Sequence, residues 1–85
     1  MQSEFPDIHK NQFALLRAEQ KTGTVLKEDL EYALDSSQKV YTIFDDLVDA
    51  QLEAVSLISN NPNVECWIYN YRRELIMLID RNDLA

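Results

Sequence analysis

An all-α fold is what this sequence predicts, and three observations carry the prediction. Apolar residues recur at helical spacing through most of the chain. Residues that break helices are scarce, with one Gly and two Pro in 85. The turn signals that do occur fall at two places, Thr22-Gly23-Thr24 and Asn60-Asn61-Pro62-Asn63. These cuts define three helices at about 7–22, 24–60 and 62–81, the central one long, packed as an antiparallel helical bundle that dimerisation completes. Residues 1–85 form a single helical domain, with 1–6 and 82–85 expected to fray.

The first helix starts after Pro6 with Asp7 as N-cap and carries Ile8, Phe13, Ala14, Leu15 and Leu16 as its apolar set. It stops at Gly23, a residue suited to the left-handed conformation that ends helices. Thr24 caps the second, where Leu26, Leu30, Ala33, Val40, Phe44, Leu47, Val55 and Ile58 recur at helical period, widened by Leu34, Tyr41, Val48 and Leu52. The third opens at Asn61-Pro62, with Pro at the first helical position, and sets Val64, Ile68, Tyr71, Leu75 and Leu78 at spacings of four and three.

The short polar run Asp35-Ser36-Ser37-Gln38 decides whether the middle segment is one helix or two. Unbroken, it would be about 54 Å long, matched by the two short helices together. Each level of the bundle would then hold two helices, too few to enclose a core, and a second copy would supply the other two. With a break near Ser36, four short helices would close as a monomer.

Charge narrows the functions available. Eight Lys and Arg face fifteen Asp and Glu, for a net −7, and the excess lies in the middle of the chain, where Lys27 and Lys39 oppose Glu28, Asp29, Glu31, Asp35, Asp45, Asp46, Asp49 and Glu53. Such a segment repels nucleic acid and attracts a basic protein. Residues 27–52 resemble a helix-turn-helix in outline only, because the would-be recognition helix exposes Asp45, Asp46 and Asp49. Arg72, Arg73 and Arg81 are more simply helix-surface partners of Asp80, Glu65 and their neighbours than an RNA patch. The longest apolar run, Leu75–Ile79, is far too short to span a bilayer, and residues 1–10 lack a signal pattern. A single cysteine, Cys66, fits a reducing compartment, so a cytoplasmic location is expected.

No catalytic, metal or cofactor site is expected. His9 is the sole histidine and has no Glu three residues before it; Cys66 sits beside Trp67 on a helix expected to be buried, where a thiol is inert. There is no Gly-rich phosphate loop and no nucleophile elbow. Two partner-binding sets remain. Trp67, Ile68, Tyr71, Leu75 and Leu78 form an apolar set on the third helix, which carries more apolar surface than one face can use. Asp45, Asp46, Asp49 and Glu53 form an acidic set on the second. The apolar set predicts a non-enzymatic interaction module, an adaptor, chaperone or regulatory subunit that forms a homodimer or heterodimer. The acidic set predicts the alternative, an inhibitor of the immunity or nucleic-acid-mimicking type that blocks the basic site of a nuclease or nucleic-acid-binding protein.

Overall fold

A central strand, β1 (Phe13–Glu19), organises the molecule. The computed structural model describes residues 5–34 and 39–84. In order, β1 is followed by β2 (Val25–Leu26), β3 (Tyr41–Phe44), the helix α1 (Leu47–Asn60), β4 (Val64–Tyr69), β5 (Leu75–Ile79) and a 3-10 turn, Arg81–Leu84. All strand pairs are antiparallel. One side of β1 pairs with β4 from Ala14↔Tyr69 to Glu19↔Val64. The other side is shared: β3 covers Phe13 to Leu16, and β2 covers Arg17 and Ala18. β5 pairs with β4 and ends the sheet.

The expected all-α bundle is therefore overturned: the chain is a five-stranded antiparallel sheet with one 14-residue helix. The expected first helix is β1 and its turn, the expected third is the β4–β5 hairpin, and the expected second contains β2, β3 and α1. Only its end, at Asn60, coincides with a real helix terminus. The residues 35–38, where a break was in question, lie outside the described residues.

Each misreading has a physical cause. Phe-Ala-Leu-Leu-Arg-Ala-Glu is rich in strong helix formers, yet as the middle strand of a sheet β1 is buried on both faces and shows no alternation to betray it. In β4, Val64, Cys66 and Ile68 are buried while Glu65, Trp67 and Tyr69 are half-exposed, a period of two. Val64 and Ile68 are four apart, which fits either period. The hairpin that reverses the chain between β4 and β5 has no glycine; Arg73 takes the left-handed conformation instead, with φ 65°. Leu30 does the same at φ 68°, so scarce glycine did not mean scarce turns.

Helix α1 covers one face of the sheet. Asp46 caps it, accepting a hydrogen bond from the Val48 N–H at 2.7 Å. Its buried face is Ala50, Ala54 and Ile58, and the two alanines let the helix axis approach the strands closely. They pack in one cluster with Leu15, Leu26, Val64, Cys66, Ile68 and Ile79. On the opposite face Ala14, Leu16 and Ala18 are also buried. Leu16 stands between Tyr41 and Trp67, its partners on the neighbouring strands. Phe5 packs edge-on against Tyr41 and Tyr69 at 5.2 and 5.9 Å between ring centres.

Candidate functional site

The apolar set expected to bind a partner is divided by the fold. Ile68 is fully buried beneath α1 and belongs to the core. Trp67 pairs with Leu78 across β4 and β5, so these two side chains share the sheet face away from the helix; Leu75 stands there too, opposite Tyr69. Tyr71 is in the hairpin turn, where the Arg72 guanidinium lies 5.4 Å from its ring centre and donates to its hydroxyl.

What the structure adds is an edge. Among the described residues nothing pairs with the outer side of β5. Leu75, Ile76 and Leu78 are 50%, 40% and 45% exposed there, and no charged residue, proline or glycine interrupts the strand. The ladder to β4 shifts register at Ile68 and Tyr69, which leaves Ile76 as the extra residue of a bulge. Above it, Gln51 of α1 donates to the Met77 sulfur at 3.2 Å, which orients that flank of the helix towards β5. Val48 and Val55, three before and four after Gln51, lie on the same flank, with Leu52 beside them; all three are exposed. The open edge of β5 is thus flanked by apolar side chains on both faces of the sheet, the helix strip on one and Leu75 and Leu78 on the other. The expected partner-binding set omitted Ile76, whose exposure becomes visible only once β5 is an edge strand, while Val48, Leu52 and Val55 were expected in the apolar stripe of the second helix.

No protein-family model, curated protein or solved structure matches this chain.

The four acids do not form the ridge of a long helix. Asp45 precedes α1 and accepts from Gln12 at 2.9 Å, Asp46 is the N-cap, Asp49 is in the first turn, and Glu53 follows one turn on. Carboxylates at a helix N-terminus are stabilised by the helix dipole, so their crowding has a structural reason. All four are exposed, and the ion pairs among the described residues, Lys27 to Asp29 and Lys39 to Glu28, involve none of them. Glu53, two residues on from Gln51, is turned about 200° round the helix from the flank that meets Met77.

Arg17 is the polar residue that sequence reasoning missed. It is 3% exposed, on the helix side of β1, directly opposite Cys66. It donates to the Val40 carbonyl at 2.7 Å and to Thr42 Oγ1 at 2.8 Å. Thr42 in turn donates to Glu28, which Lys39 pairs at 3.4 Å. The Arg17 Nε has no hydrogen-bond partner among the described residues. Burial lowers the Arg17 pKa, while Glu28, Cys66 and Glu53 act the other way. Burial likewise pushes the Cys66 thiol up to about 12 despite the neighbouring Arg17, so at neutral pH it is a protonated, unreactive thiol. Among the described residues no group of three or more His, Cys, Asp or Glu could hold a metal ion, and no helix is long and apolar enough to cross a membrane.

Proposed function

We propose that this chain is a non-enzymatic protein-interaction module, an adaptor or regulatory subunit, that docks a partner on the side formed by β5 and the Val48-Leu52-Val55 flank of α1. One observation carries the reading: β5 is an uncharged edge strand, unpaired on its outer side among the described residues, whose Leu75, Ile76 and Leu78 stand 40–50% exposed. Soluble proteins usually blunt such edges with charge, proline or a covering segment. An edge left open offers backbone hydrogen bonds for affinity and alternate side chains for specificity, the requirements for adding a partner strand. A reducing, cytoplasmic setting suits the buried free thiol of Cys66.

The inhibitor reading keeps one supporting observation, the exposed carboxylates of Asp45, Asp49 and Glu53, which form no ion pair among the described residues. Salt separates the two. Binding at the apolar edge changes little between low and high ionic strength, whereas binding through the acids weakens steeply. The test compares proteins retained from an extract by the native chain, by Ile76→Lys and by Asp45→Asn/Asp49→Asn/Glu53→Gln, each verified as folded. The module reading requires retention to be lost with Ile76→Lys and kept by the acid-neutralised variant in high salt; the opposite pattern would favour the inhibitor.

A further inference from the structure

The two outer edges of the sheet are built differently. On the β2 and β3 side the edge is split between a two-residue and a four-residue strand. The outer side of β2 is covered by the chain itself, with Leu26 bridged to Tyr32 and the Ala33 N–H donating to the Val25 carbonyl. Carboxylates lie beside β3: Glu28 accepts from Thr42, and Asp45 and Asp46 follow the strand directly. Among the described residues the β5 edge has none of these protections.

Charge distinguishes it further. The chain carries −7, yet the residues bracketing β5 balance: Arg72, Arg73 and Glu74 sum to +1 before the strand, and Asp80, Arg81 and Asp83 sum to −1 after it. We infer that the partner docked on this edge is a second copy of the chain, its β5 antiparallel to the first across a two-fold axis perpendicular to the sheet. This deepens the module reading and rests on it. In that arrangement the +1 end of each strand meets the −1 end of the other, twice. Parallel pairing would set like ends together. The two-fold also preserves the faces of the sheet, so both helices lie on one side and Met77 and Ile79 of each copy remain beneath them. Both open edges are consumed, and assembly stops at two. The −7 excess sits largely on the far flank, around Asp45, Asp49 and Glu53, where it opposes association least. Five paired residues fall short of the roughly 1,200 Å² that a tight interface buries, so this dimer dissociates on dilution.

Sedimentation equilibrium over roughly 1–300 µM should show a shift from 9.9 kDa to twice that mass. Ile76→Lys should leave the monomer. Arg72→Glu makes the first end negative and should weaken the dimer about tenfold, since two end contacts turn from attraction to repulsion. Adding Asn82→Lys to Arg72→Glu neutralises the other end, removes the repulsion and should recover about threefold of the tenfold loss. Positions 72 and 82 lie at opposite ends of β5, beyond the roughly 8 Å reach of charge at physiological salt, so rescue can come only through the second copy. A monomer at every concentration, a species larger than two, or a dimer indifferent to Ile76→Lys would each overturn the inference. Self-pairing and the module reading fail separately. A monomer that still loses its extract partners with Ile76→Lys removes only the former; a charge-rescued dimer whose partners ignore that substitution removes only the latter.

Discussion

Ile68 gives the most direct test of the fold, because the expected bundle made it a contact for partners and the structure places it in the core. It is fully buried, next to Leu15 on the adjacent strand and in one cluster with Ala50, Ala54 and Ile58 of α1. Ile68→Ala removes three carbons, about 2.4 kcal/mol of transfer free energy at 0.8 per methylene. The cavity adds to that. Alanines face it from the helix and have no side chain to swing into the space, so relaxation is poor and the total should reach about 3–4 kcal/mol. Domains of this size hold roughly 4–13 kcal/mol in all, and the loss is a large fraction of it. With a urea slope of about 1–1.5 kcal/mol per molar, the midpoint of unfolding should fall by roughly 2–4 M, measured at one protein concentration so that association does not shift it. Leu78→Ala, on the half-exposed edge, should move the midpoint by under about 1 M. Equal shifts for the two variants, or a shift below about 0.5 M for Ile68→Ala, would refute the placement of Ile68 beneath the helix.

Other outcomes follow from single contacts. Asp46→Ala removes the cap of α1 and should cost about 1 kcal/mol, read as a lower urea midpoint with an unchanged slope, whereas Asp49→Ala should cost less. Cys66, buried and with its thiol pushed up to about 12, should resist an aromatic disulfide reagent at pH 8 in the native protein and react fully in urea. The Glu19 carboxyl is held below its ordinary value by hydrogen bonds from Thr22 and Tyr32. Its contribution to stability is therefore present above about pH 4.3, the unfolded value, and is lost as pH falls through the lower folded value. Glu19→Gln should flatten the acid limb of the stability profile, and a limb of unchanged slope would count against this pair. The same hydrogen bond raises the Tyr32 phenol, so Tyr32 should ionise above 10 in an ultraviolet titration and return towards it in Glu19→Gln.

What the sequence made legible was position more than element type. The reversal at Thr22-Gly23-Thr24 is real, and Gly23 does take the left-handed conformation, φ 75°, but it turns β1 into β2 where a helix end was expected. The helix stop at Asn60 and Asn61 is real as well: the Asn61 N–H bonds back to the Leu57 and Ile58 carbonyls. Between these points the apolar pattern was ambiguous. Spacings of four, as in Val64 and Ile68, satisfy both periods, and β1 carries apolar residues on both faces because sheet covers it on both sides and α1 lies above. Local preference for helix in β1 loses to the burial that only partner strands distant in sequence supply. The excess of apolar residues in 64–79 leaves Leu75, Ile76 and Leu78 exposed in the fold. A strand edge and a helix face expose different residues: Ile76 comes out and Ile68 goes in.

Arg17 explains how two strands share one side of β1. Leu16 is the last residue paired with β3, through Tyr41, and Arg17 the first paired with β2, through Leu26. At that seam no ladder pairs β3 with β2 among the described residues, and the Arg17 side chain reaches across instead, holding the Val40 carbonyl and Thr42 at the entry to β3. The desolvation of a guanidinium is costly, and a hydrogen bond from a charged group recovers about 1.5–3 kcal/mol. Arg17→Met keeps the volume and discards the charge, so total stability should change little, while the anchor of β3 is lost. Amide exchange localises the effect. Protection at Tyr41 to Phe44 should fall by roughly ten- to a hundredfold, the equivalent of one such bond, while Val64 to Tyr69, held between β1 and β5, should keep theirs. Uniform loss across β3 and β4 would mean that Arg17 supports the core as a whole; no loss at β3 would mean that the backbone ladder to β1 suffices, and that the buried charge has some other reason to be there.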